Sequence, residues 1–112
     1  MHATIKENMI RVVVFHMDGC PHCKAVTGKS SVLRDGAGDL APIHEIESSD
    51  PLSRNMAITS FPSIFVVTPI VAFAFEGKRT PEDFRKFVLE KMGQSRLLAK
   101  ISTKTNRANE RM

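Results

Sequence analysis

Cys20 and Cys23 are the only cysteines in the 112 residues, and Pro21 and His22 alone separate them. Gly19 permits a sharp turn before the pair, and Pro21 suits the first position of a helix, where its missing N–H is no loss. Placed at a helix start, the two sulfurs meet the needs of thiol–disulfide exchange. A thiolate must attack a disulfide sulfur, and a second thiol must lie near enough to release the mixed disulfide. Cys20 would face the unpaired N–H groups and the positive end of the helix dipole, which favour its ionised form; Cys23 would lie one turn inside. Cys20 is therefore the expected nucleophile and Cys23 the resolving thiol. His22 would set an imidazole, and when protonated a positive charge, beside the Cys20 sulfur, lowering its pKa. The competing readings are a pair of inert core cysteines, an exposed His22 of little effect, or half of a zinc site. Zinc would need two further ligands at suitable spacing, and only His2, His16, His22 and His44 are on offer, so no metal or other cofactor is expected beyond the Cys20–Cys23 disulfide itself.

The elements that must hold this pair are legible on both sides of it. Met9 to His16 is mostly apolar and rich in β-branched residues, which fits a central strand buried on both faces. The helix that opens at Cys20 or Pro21 is expected to run to about Asp35, offering Ala25, Val26, Ser30, Val32 and Leu33 for packing, until Gly36-Ala37-Gly38 ends it. Pro42 to Glu47 is a short strand candidate. Asp50-Pro51 reads as the N-cap and first position of a short helix ending near Ala57. Ser63 to Thr68 and Ile70 to Phe75 are apolar runs joined across Pro69, a connection short enough only for an antiparallel hairpin. Thr80-Pro81-Glu82-Asp83 opens the last helix, in which Phe84, Phe87, Val88 and Met92 share one face. Beyond Gly93, Ser95 to Ile101 adds a helical turn or two, and Ser102 to Met112 has the composition of a disordered end.

Size and charge narrow the function classes. The length suits one domain, expected over residues 1–94, followed by a basic tail over 95–112 that is partly helical or disordered. No apolar run is long enough to span a bilayer, and Met1 to Asn8 contains no apolar segment like that of a secretory signal, so a cytoplasmic protein with no membrane association is expected. Two cysteines exclude a disulfide-stapled scaffold. Residues 1–94 carry eleven Lys or Arg against eleven Asp or Glu, and residues 95–112 carry five against one, so the tail supplies the whole excess of +4. A nucleic-acid-binding domain would spread its basic charge over the folded body, and this body is neutral.

The order β-α-β-α-β-β-α, with Cys20-Pro21-His22-Cys23 where the first strand meets its helix, resembles the thioredoxin-like family, including the catalytic domains of protein disulfide isomerases. The resemblance covers about Met9 to Met92. It rests on Val12-Val13-Val14-Phe15, on Cys20 to Lys24, on Phe61-Pro62 before a strand 42 positions after Cys20, and on Phe75 to Thr80 before the final helix. It implies an α/β thioredoxin fold of minimal size, a four-stranded mixed sheet flanked by helices, acting as a monomer on protein disulfides. It also implies a cis Pro62 lying against the cysteine pair. Substrate would then pair with the backbone at Ser60-Phe61 and touch Phe61, Met17, Pro21 and Ile58, with Gly19 forming the rim beside Cys20. Electrons would come from thioredoxin reductase or from glutathione. The Cys-Pro-His-Cys tetrapeptide is characteristic of DsbA-type oxidases, which implies a potential more oxidising than that of Cys-Gly-Pro-Cys thioredoxins.

The sequence departs from that pattern in three places. The position usually holding a buried carboxylate, the proton acceptor for the resolving thiol, is Val14. His44, Glu45 or water would have to replace it, or the resolving step would be slow. The aromatic residue usual before the first cysteine is Gly19. Only eight residues precede the first strand, so the usual leading strand and helix are expected to be absent or vestigial, and the layout approaches that of a glutaredoxin. A glutathione-dependent glutaredoxin-like enzyme is thus one alternative, though Ser60-Phe61-Pro62 and Gly77 to Asp83 match its glutathione-binding elements only in part. The other is a non-catalytic binding module, in which Arg96, Lys100, Lys104, Arg107 and Arg111 would form a basic helical stripe for an acidic partner.

Overall fold

The computed structural model describes residues 10–110. Its chain runs β1 (Arg11–His16), α1 (Pro21–Val26), α2 (Val32–Ala37), β2 (Ile43–Glu47), α3 (Pro51–Asn55), β3 (Ser63–Val67), β4 (Ala72–Ala74) and α4 (Pro81–Glu110). The sheet order is β2-β1-β3-β4. β1 is parallel to β2 and antiparallel to β3, and β3 and β4 form the antiparallel hairpin. This is a four-stranded mixed sheet flanked by helices, with β1 central and β2 at one edge.

Alternation along the strands sends Val12 and Val14 of β1 and Ile64 and Val66 of β3 to one face, where they are buried. Val26 of α1, Leu33 and Ala37 of α2, and Phe84 and Val88 of α4 close over them as one core. Each of these Val, Ile, Leu and Phe side chains contributes roughly 1.5–3 kcal/mol by leaving water. Phe75 joins the cluster, meeting Phe84 edge-on at 5.2 Å between ring centroids. The helices α2 and α4 come very close. A Cβ on Gly36 would lie 2.5 Å from the Pro81 carbonyl oxygen, so only glycine lets the start of α4 sit there. Arg85 spans the same junction, donating to the Gly36 carbonyl at 3.0 Å and to Asp39 at 2.7 Å.

The single helix expected from Cys20 to Asp35 is two. After Val26 the chain leaves helical geometry: Thr27 is extended and its hydroxyl donates to the Cys23 carbonyl at 2.9 Å. Gly28 follows with φ +88°, a conformation open to glycine at little cost. Its N–H donates to Glu45 of β2 at 2.8 Å and its carbonyl accepts from Arg34 Nε at 2.8 Å. Ser31 then caps a new helix by accepting the Arg34 N–H at 3.1 Å. Consequently Ala25 and Ser30, expected in the core, are exposed, while Ser31 is buried.

The last helix also differs from expectation. It passes through Gly93 without a break and continues to Glu110, so the stretch from Ser102 expected to be disordered is helical as far as Glu110; Arg111 and Met112 lie outside the described residues. Gly93 is exposed and nothing lies within 4 Å of the place its Cβ would occupy. One such glycine costs about 1 kcal/mol relative to alanine, which the strong helix formers on either side, Leu89 to Met92 and Arg96 to Lys100, can offset. Ser95, past the expected boundary at residue 94, is buried.

Candidate functional site

The cysteine pair sits where β1 hands over to α1. Gly19, with φ +76°, makes the reversal after Met17 and Asp18, and Cys20 takes the N-cap position in extended geometry. Pro21 occupies the first turn without wasting a donor. At the N-cap, the Cys20 sulfur accepts the Cys23 N–H at 3.2 Å, the place an oxygen occupies in an ordinary cap. Both cysteines are reduced and nearly enclosed: Cys20 is 9% and Cys23 3% exposed.

The two thiols are driven apart in acidity. Cys20 is held below the ordinary thiol value, first by the hydrogen bond from the Cys23 side chain, then by the backbone N–H groups of Cys23 and His22 and the charge of Arg79, all against a desolvation cost. Cys23 is pushed up, chiefly by desolvation and also by its hydrogen bond to Cys20 and the negative charge there; a backbone hydrogen bond with Met17 and the Arg79 charge act the other way. One acidic, reachable sulfur beside one reluctant, deeper sulfur is the division of labour exchange requires.

Two further chain segments meet the pair. The Cys20 thiol points at the Phe61 carbonyl, 3.9 Å away, and the Phe61–Pro62 peptide is cis. Pro62 is buried, Phe61 and Ile58 are half-buried, and Ser60, Gly19, Met17 and Pro21 are exposed. Ser60 and Pro62 border an open groove of about 330 Å³, whose other lining residues include Ser63, Phe75, Glu76 and Arg79. A side wall of that kind suits an extended polypeptide.

Arg79 was not singled out by sequence reading. It lies 56 positions after Cys23, on the turn between β4 and α4, and only the hairpin and the sheet order bring its charge to the thiols. The position after Phe75-Glu76-Gly77-Lys78 was the available signal. Conversely, what His22 brings to Cys20 is its backbone N–H, and its side chain is exposed. The substitutes suggested for the missing carboxylate at Val14 fare poorly. Glu45 is committed to the Gly28 N–H and to Arg34, 3.5 Å from its carboxylate, His44 is exposed, and neither is among the groups that act on Cys23. Val14 itself is fully buried. Among the described residues no three His, Cys, Asp or Glu side chains gather as a metal site, and no helix is long and apolar enough to cross a membrane.

No protein-family model matches the chain, and no curated protein sequence does. Solved structures do match in three dimensions. The J-Trx1 fragment of ERdj5 superposes with a TM-score of 0.64 at 23% identity, over 80% of this chain and 45% of that one. The first two thioredoxin domains of Saccharomyces cerevisiae Eps1p give 0.62 at 20% identity, over 77% and 36%. The first thioredoxin domain of mouse protein disulfide-isomerase A4 gives 0.56 at 22%, over 75% and 64%. The chain has the thioredoxin fold. It spans about half or less of the ERdj5 and Eps1p structures, consistent with a single thioredoxin-fold unit of the kind they contain in series with other parts. Within this fold the Cys20–Cys23 turn, the Phe61–Pro62 segment and Arg79 fall together at one end of the sheet's central strands.

Proposed function

We propose that this thioredoxin-fold chain is a thiol–disulfide oxidoreductase of protein disulfides. The observation that supports it most is the Cys20 sulfur at the N-cap of α1, fixed at 3.2 Å by the Cys23 N–H, with a more acidic thiol than that of Cys23. Cys20 attacks a client disulfide, Cys23 releases the client thiol, and the Ser60-Phe61-Pro62 backbone with the groove beside it holds the client strand. Met17, Gly19 and Pro21 form the exposed rim over which the client approaches.

A protonated His22 next to an ionised Cys20 would stabilise the thiolate and so the reduced state, giving a potential more oxidising than in thioredoxins with Gly-Pro between the cysteines. Replacing His22 by Pro and titrating against glutathione tests this; an unchanged potential removes His22 from the mechanism. The same reading has the protein acting as a monomer in the cytoplasm, recharged by thioredoxin reductase or by glutathione. The decisive experiment for the activity is insulin-disulfide reduction with dithiothreitol. Turnover should fall to background in Cys20→Ser, and turnover that survives that substitution would end the proposal.

A further inference from the structure

For the exchange reaction to finish, Cys23 must give up a proton. Its surroundings offer nothing to receive it. On β1 the buried side chains are Val12, Val14 and Phe15, and His16, half-buried at the strand's end, is not among the groups that act on Cys23. On α1 the other titratable groups are Cys20, which at this step is bonded to the client and can take no proton, and His22 and Lys24, both exposed. Asp18, on the turn before the helix, is exposed too. On β2, Glu45 is tied to Gly28 and Arg34, and His44 faces water. The segment before β3 presents Phe61 and Pro62. The turn before α4 presents Arg79, a cation that can favour the thiolate but cannot accept a proton. Nor does the interior hold a base, since among the described residues the buried polar side chains are the hydroxyls of Ser31, Ser53, Thr68 and Ser95.

Resting on the exchange reading above, we propose that proton loss from Cys23 limits turnover, so that the disulfide between Cys20 and its client is a long-lived species. The chain is then a holder of clients more than a rapid reductase. In the first step the Cys20 thiolate forms a bond to one client sulfur and the other client sulfur leaves as a thiolate. In the second, Cys23 loses its proton to water and its sulfur attacks Cys20. The Cys20–client bond breaks and the client leaves as a dithiol. The two electrons that reduce the client disulfide come from the Cys20–Cys23 dithiol, which ends as a disulfide. A thiolate at a buried site with no base beside it forms only as fast as hydroxide or water can take its proton; burial makes it rare, and the Arg79 charge offsets that only in small part.

The test uses the full chain, reduced, mixed with a short peptide carrying one intramolecular disulfide, acid-quenched over time and weighed intact. At pH 7 the protein–peptide adduct should be the main species before oxidised protein appears. Its decay should quicken by about tenfold per pH unit below the Cys23 pKa. Arg79→Gln should move that decay profile to higher pH, and Arg79→Lys should restore most of it. Oxidised protein appearing as fast as Cys20 attacks, with no adduct, or adduct decay independent of pH, would overturn the inference while leaving the exchange reading intact. A Cys20 inert toward the peptide would overturn both.

Discussion

The Cys23 N–H donates to the Cys20 sulfur at 3.2 Å, so the residue proposed to resolve the mixed disulfide also anchors the sulfur proposed to start it. Cys20 caps a six-residue helix and Cys23 lies in its first turn. The pairing works through backbone as well as side chain. Removing the Cys23 thiol leaves the N–H in place but takes away the largest influence on the acidity of Cys20, whereas the Arg79 charge is the smallest of those favouring ionisation.

Alkylation by iodoacetamide should therefore rank the two. Both Cys23→Ala and Arg79→Gln raise the Cys20 pKa, because each removes something that favours the thiolate. The alkylation profile against pH moves upward in both, and further in Cys23→Ala. In the wild-type protein Cys20 is modified at lower pH than Cys23, as peptide mapping of the alkylated chain would show. The reverse order would contradict the electrostatics described above.

Gly36→Ala should destabilise the fold by about 1–3 kcal/mol, the usual range for forced overpacking. Alanine would favour the helix α2 by about 1 kcal/mol relative to glycine, but its methyl group meets backbone, the Pro81 carbonyl, and α2 and α4 must separate to admit it. Urea titration monitored by circular dichroism gives the number; a stabilised variant would mean the junction is looser than described.

Gly93→Ala is the opposite case. The site is exposed, open and inside a continuous helix, so the substitution should stabilise by about 0.5–1 kcal/mol and raise helicity. A loss of stability there would indicate that the helix breaks at Gly93 after all.

Glu45→Ala should cost about 1 kcal/mol, the net value of one hydrogen bond with a partly exposed ion pair added. Its more specific effect is on the turn between α1 and α2. The Gly28 amide, held by Glu45 at 2.8 Å, should exchange with deuterium faster in the variant while amides in β1 stay protected.

What could be read from the chain, and what could not, divides by range. The cysteine pair at the start of α1, the β1 pattern Val12 to Phe15, the hairpin across Pro69 and the cap at Thr80, which accepts the Asp83 N–H at 3.1 Å, are all written within a few residues of where they lie. The break after Val26 is not. Thr27-Gly28 is a weak stop by itself and becomes a firm one only because Glu45, 17 positions on, holds the turn. Arg79 escaped notice for the same reason, being distant in sequence and brought to the thiols only by the completed sheet. With Gly93 the error ran the other way, a local signal for an end being overridden by the helix formers around it.

The outer margin of β2 carries one more consequence. His44, Glu45 and Glu47 are exposed along a strand only five residues long, at a border where hydrogen-bonding groups face outward. Charged, short borders of this type discourage a neighbouring molecule from zipping on by main-chain pairing. Among the described residues this is where the sheet stops, and its charge and brevity oppose growth into fibrils from that side.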